Sequence, residues 1–157
     1  MRPYLDKVIP DAWKAAEAFS AAVAEAVQER GLTERESELI KVRASQLNGC
    51  AFCLDLHSRR AREAGIEQQL LDLLPVWRAT ALFTERERAV LAVAEAATRM
   101  PLSEADAAAL ADAKDVLGDE VFVAAEWVAV AINAFNRVSI LSAHPVRARR
   151  SEPGASG

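Results

Sequence analysis

Two cysteines, two histidines, six glycines and six prolines are all that this chain of 157 residues holds of those types. Two cysteines are too few for the disulfide framework of a small secreted domain, and they direct attention to redox or metal chemistry. Scarce glycine and proline, with β-branched residues scattered and never alternating with polar ones, exclude a sheet architecture. No apolar run reaches the length of a membrane span: the longest, Val121 to Phe135, carries Glu126, with Asn133, Asn136 and Arg137 close by. It reads as a buried or interface helix. The opening, Met1-Arg2-Pro3-Tyr4-Leu5-Asp6, has no apolar h-region, so no secretory leader and a cytoplasmic location are expected. A net charge of −4 argues for neither nucleic acid nor an anionic membrane as partner.

What is abundant is alanine, in apolar patterns of helical period. The expected fold is an all-α bundle of six to eight helices, one domain over 1–144, with a basic and then Ser/Gly/Pro-rich flexible tail over 145–157. A first helix covers Pro10 to Arg30 and stops at Gly31. Thr33-Glu34-Arg35-Glu36 is a capping box that opens a helix to about Leu47. After Asn48-Gly49 a new helix runs from about Cys50 to Ala64, and a short one covers Glu67 to Leu74 before Pro75. The same box recurs as Thr84-Glu85-Arg86-Glu87 and opens a helix through Thr98 that Pro101 ends. The recurrence is open between a weak internal repeat and coincidence. Ser103 caps a helix to about Leu117, and the last long helix runs from Asp119 to about Ala143.

Both cysteines and one histidine fall in Glu38-Leu-Ile-Lys-Val-Arg-Ala-Ser-Gln-Leu-Asn-Gly-Cys50-Ala-Phe-Cys53-Leu-Asp-Leu-His57. Spacings of three and four place Cys50, Cys53 and His57 on one helical face. A free thiol, with a pKa of about 8.5, is only a few per cent ionised at neutral pH. A helix mouth lowers that value for Cys50, and His57, one turn beyond Cys53, can accept its proton. Helix position alone makes Cys50 the more acidic thiol. The first turn of a helix also permits a Cys50–Cys53 disulfide. The competing readings are two chance buried cysteines, and a zinc site on Cys50, Cys53 and His57 that lacks an obvious fourth ligand, because His144 is remote and Glu38 is the only near candidate.

The pattern Glu-x11-Cys-x2-Cys-x3-His, with Arg43-x-Ser45 and Asn48-Gly49 before the first cysteine, resembles the alkylhydroperoxidase AhpD-like group of the carboxymuconolactone decarboxylase superfamily. The close match covers roughly Glu36 to Gly65, and the Asn133-x-x-Asn136-Arg137 segment is similar too. The resemblance implies a thiol peroxidase without metal or organic cofactor, assembled as a homotrimer or homohexamer. Cys53 would attack a hydroperoxide, Cys50 would resolve the product as a disulfide, and His57 and Glu38 would form the proton relay. A thiol or lipoyl-type reductant would restore the dithiol. The chain departs from the best-known members at Phe52, where they carry histidine. A non-catalytic or redox-sensing oligomer, and a lactone decarboxylase acting on a small organic acid, are the alternatives; the true decarboxylases lack the cysteine pair.

Around this site, Arg43 and Ser45 are expected to tie the helix end to its neighbours, and Asp55 to meet solvent or Arg59. Asn133, Asn136 and Arg137 are expected to pair with Glu38 or with a neighbouring subunit. Trp13, Trp77 and Trp127 read as core or interface anchors. The final helix, apolar on every side, is expected to be enclosed or to join the N-terminal helix in subunit contacts, and the thiol site to stand apart from the core.

Overall fold

The two Thr-Glu-Arg-Glu boxes start the two helices at the centre of the molecule. A computed structural model describes residues 1–149. Helix α3 spans Glu34–Asn48 and helix α6 spans Glu85–Thr98. Thr33 accepts the Glu36 amide at 3.1 Å while Glu36 accepts the Thr33 amide at 3.0 Å. Thr84 and Glu87 repeat the exchange at 3.2 and 2.9 Å. Each box then grips the other: Arg35 donates to Glu87 and Arg86 to Glu36, both at 2.7 Å. Arg86 also reaches the Gly31 carbonyl at 3.2 Å, and Arg35 the carbonyl of Gly65. Both glycines end helices with positive φ, which exposes those carbonyls. Further along, Arg43 donates to Glu95 at 2.8 Å, so α3 and α6 lie parallel. The recurrent motif is therefore a reciprocal contact, whatever its origin.

The remaining helices surround this pair: α1 (Leu5–Val8), α2 (Pro10–Glu29), α4 (Ala51–Glu63), α5 (Gln68–Leu73), α7 (Glu104–Leu117) and α8 (Asp119–Ser142). No strand occurs among the described residues. Two boundaries differ from the sequence reading. The short α1 precedes Pro10, and the chain continues through Pro75 as a 3-10 helix, Leu74–Ala79. Pro75 falls in the first turn of that element, where its missing N–H leaves no bond unmade.

Two apolar clusters flank the central helices. One joins Ile40 and Val93 to Val27 of α2, Ala113 of α7 and Val128 of α8. The other joins Leu39 and Leu91 to Ala61, Leu74, Trp77 and Phe83. Adjacent residues of α3 and of α6 thus enter opposite cores, which encloses both helices.

The last helix is not enclosed by this arrangement and keeps an open apolar side, the kind of surface that the expected subunit contact requires. Helix α8 packs along α2, α3, α6 and α7, with smaller contacts to α1 and α4, and buries residues such as Ala125, Val128, Ala129 and Ile132 against them. Its other side leaves Val123, Trp127 and Val130 exposed, Trp127 by 49%. It is the one helix among the described residues long and apolar enough to cross a membrane, and here it packs into the bundle. The enclosed helices, α3 and α6, are rich in charge, and they can be enclosed because their charges are paired. Trp77 is a core residue, Trp13 stacks edge-on against Phe135 with centroids 5.7 Å apart, and Trp127 meets Phe19 at 6.1 Å.

After α8 the chain from Pro145 to Arg149 carries no helix, and residues 150–157 of the expected tail lie outside the described residues. Asp55 stays partly exposed to solvent, as expected, and pairs with Arg149; Arg59 lies instead toward Glu63 at 3.9 Å.

Candidate active site

Helix α3 ends at Gly49, whose φ of 65° is left-handed and free of Cβ strain. Its amide and that of Cys50 turn back to the carbonyls of Gln46 (3.2 Å) and Ser45 (3.0 Å). The turn makes Cys50 the N-cap of α4, and its sulfur accepts the Cys53 amide at 3.3 Å, the place a Ser or Asp oxygen usually takes. Cys50 and Cys53 lie at disulfide distance, with Cα atoms 5.4 Å apart, as the first-turn spacing predicts.

The reversed direction of α4 lays it against α3, so that His57 comes opposite Glu38. Their Nδ1 and Oε2 atoms are 2.8 Å apart. An ionised carboxylate only accepts, so Nδ1 donates and Nε2 is left as the basic nitrogen, one turn beyond Cys53. The second Glu38 oxygen accepts from Lys41 Nζ at 3.0 Å. Burial on its own pushes the Glu38 carboxyl up; the His57 hydrogen bond and the Lys41 charge outweigh it and hold the group below the usual carboxylate range.

All four residues of the motif are buried, Cys50 by 98% and Cys53 by 96%, since their exposures are 2% and 4%. The expectation that the site stands apart from the core fails here, because the α3–α4 hairpin that aligns Glu38 with His57 also faces the bundle. Phe52, between the cysteines, points outward and lies 5.4 Å from the His144 ring. No group of three or more His, Cys, Asp or Glu side chains among the described residues is arranged to hold a metal ion.

A polar network pins the turn to α8. Asn48 donates to Asn133 at 2.8 Å and to Asn136 at 2.9 Å, and Asn136 donates to Ser45 at 3.1 Å. Asn133 extends the chain to Thr98 of α6 at 2.9 Å, and Arg137 donates to the Asn133 carbonyl at 2.9 Å. These residues hold the helix turn instead of pairing with Glu38, which His57 and Lys41 occupy. Arg43 and Ser45 tie the end of α3 to α6 and α8, as expected. The sequence reading missed Lys41, although its i,i+3 spacing from Glu38 was visible, and it missed Asn48 as the link to α8.

Residues 10–96 match the sequence model of the carboxymuconolactone decarboxylase family, more than half of the chain. The chain belongs to that family. Within it, the uncharacterized protein YdfG of Bacillus subtilis is 34% identical over 103 residues, 66% of this chain and 70% of YdfG. A solved structure from Agrobacterium tumefaciens, a protein of unknown function provisionally assigned to antioxidant defence as AhpD, is 36% identical. It superposes with a TM-score of 0.80 over 93% of this chain and 99% of that one. This family member therefore has the AhpD-like all-α fold, with a cysteine pair at disulfide distance in the α3–α4 hairpin.

Proposed function

We propose that the protein is a thiol-based hydroperoxide reductase that cycles between the Cys50/Cys53 dithiol and disulfide. The observation that carries this reading is the coincidence, in one helical hairpin, of a cysteine pair at disulfide distance and a buried Glu38–His57 pair at 2.8 Å. In the reduced protein His57 takes the Cys53 proton on Nε2, with Glu38 balancing the imidazolium charge. The Cys53 thiolate attacks the distal oxygen of a hydroperoxide ROOH; the S–O bond forms as the O–O bond breaks. Cys53 becomes a sulfenic acid, and the leaving alkoxide takes the His57 proton as ROH. Cys50 then loses its thiol proton and attacks the Cys53 sulfur; the S–S bond forms as the S–O bond breaks, and the departing hydroxide takes up that proton as water. An external dithiol reduces the disulfide and is itself oxidised. The roles of Cys53 as attacking thiol and Cys50 as resolving thiol follow the family pattern and the position of His57.

We further infer that the working unit is a homotrimer or homohexamer. The apolar outer side of α8, with Val123, Trp127 and Val130 exposed, supports a subunit contact there.

The test is peroxide treatment of the reduced protein with thiol mapping by mass spectrometry and turnover with an added dithiol. The expected result is rapid oxidation at Cys53, conversion to the Cys50–Cys53 disulfide, and a persistent sulfenic acid in Cys50→Ser. Oxidation no faster than that of a free thiol, with no turnover, sinks the enzyme reading.

A further inference from the structure

Glu38 has a hydrogen-bond partner on each oxygen, and the two partners differ in kind. His57 holds Oε2 at 2.8 Å, and Lys41 holds Oε1 at 3.0 Å. Lys41 stands one turn further along α3, with its side chain largely withdrawn from water. Glu38 and Lys41 together face a cavity of about 240 Å³ between α2, α3, α4 and α8. The other charged groups on its wall are Glu34 of α3 and Arg60 of α4; α2 and α8 contribute no ionisable side chain, only residues such as Gln28, Ser20, Val128 and Ala131.

We propose that Lys41 is a positioning residue of the thiol site, fixing Glu38 as the anion that keeps the Cys53 proton on His57. This rests on the dithiol reading above and adds a residue to it. A buried carboxylate whose only partner is an imidazole can take up a proton. It then becomes the donor to Nδ1, the ring hydrogen moves to Nε2, and the imidazole no longer offers a base to Cys53. The Lys41 ammonium blocks that exchange, because protonating Glu38 would leave a cation against a neutral acid in a withdrawn site. Lysine acts here through charge and one contact, so arginine can replace it and an apolar side chain of similar length cannot.

The experiment compares reduced wild type, Lys41→Met and Lys41→Arg. The rate of iodoacetamide alkylation at Cys53 is read by peptide mass spectrometry across roughly pH 5 to 9, the range in which imidazole and thiol titrate. Hydroperoxide turnover is measured in parallel. In Lys41→Met the midpoint for Cys53 ionisation should move up by about one pH unit or more, the usual effect of losing a neighbouring opposite charge. Lys41→Arg should return it to the wild-type value. An unmoved midpoint in Lys41→Met overturns the proposal, as does a uniform loss of rate at every pH, which marks a merely structural residue. If wild type turns over no hydroperoxide, the peroxidase reading falls, and the alkylation profile still decides the role of Lys41.

Discussion

Glu38 on α3 and Glu95 on α6 are both buried carboxylates on the central helices, and both are held below the usual carboxylate range against the upward push of burial. Their partners separate them. Glu95 accepts from Arg43 at 2.8 Å, from the Trp77 indole at 3.0 Å, from Arg99 at 3.3 Å and from Arg78. No partner in that set can change its protonation state at ordinary pH, so Glu95 is locked. Glu38 has one lysine and one histidine. Histidine is the side chain that titrates near neutrality, so Glu38 can share in proton movement while Glu95 can only hold helices together. Burial and a lowered pKa are common to both, and neither marks a functional carboxylate by itself.

The largest expected effect is structural. Glu95→Ala removes the acceptor shared by α6, α3 and the 3-10 segment and leaves the buried Arg43 guanidinium with no carboxylate, only the neutral Gln46 side chain at 3.0 Å. Breaking one side of such a pair costs about 3–5 kcal/mol; the exposed arms, Arg78 and Arg99, lose little of their own. Urea unfolding should show this loss, while the folded fraction reacts with peroxide at the wild-type rate per molecule. A stable variant with slowed chemistry would reverse the contrast between the two carboxylates.

His57→Gln and Glu38→Gln should behave in the opposite way. Each should slow Cys53 oxidation by about 10²-fold, the scale of general base catalysis, or about 2.7 kcal/mol in the barrier. Because the pair is buried, some stability is lost as well, about 1–2 kcal/mol for the disturbed hydrogen bond. Stopped-flow oxidation beside urea melts separates the two losses. Glu38→Gln with normal kinetics and reduced stability would place Glu38 in the same structural class as Glu95.

Acid should reveal the shared property. Glu36, Glu38 and Glu95 all have lowered carboxyl pKa values in the folded protein, from an ordinary value of 4.5. Groups of that kind contribute stability that is fully present above the unfolded value and is lost as the pH falls through the folded one. Stability should therefore be level down to about pH 5 and fall below about 4.5. A melt series should show the fall weakened in a Glu95→Ala background.

The thiol motif was legible because its parts are local. Cysteine spacing, the Gly49 stop and the position of His57 all follow from helix geometry, and the family pattern added Glu38. The Glu95 hub was not legible, because charged residues on a helix are solvated more often than buried, and Arg43, Trp77, Arg78 and Arg99 converge only in the folded chain. The Asn48–Asn133–Asn136 network was hidden for the same reason. Helix α8 read from its composition as a buried or interface helix; it packs on one side and leaves an apolar side open, while reciprocal salt bridges let the charged α3 and α6 take the centre.

The smallest effect concerns a third carboxylate, Glu126 on α8, which has no acceptor role in any hydrogen bond among the described residues and whose carboxyl is pushed up by burial. It borders an apolar cavity of about 400 Å³ beside Met100, Leu102 and Trp127. The sign of its contribution is opposite to that of Glu38 and Glu95. A raised folded value favours the protonated form, so its stabilising contribution is fully present below the unfolded pKa and is lost as pH rises through the folded one. Glu126→Gln removes that late penalty. It should raise stability at pH 7 by roughly 0.5 kcal/mol, the lower end of the cost of withdrawing an unpaired polar group from water. At pH 4, where the carboxyl is mostly protonated, the variant and the wild type should melt together. A variant less stable than wild type at pH 7 would mean that Glu126 has an ion partner, as Glu38 and Glu95 do, and that all three carboxylates belong to one class.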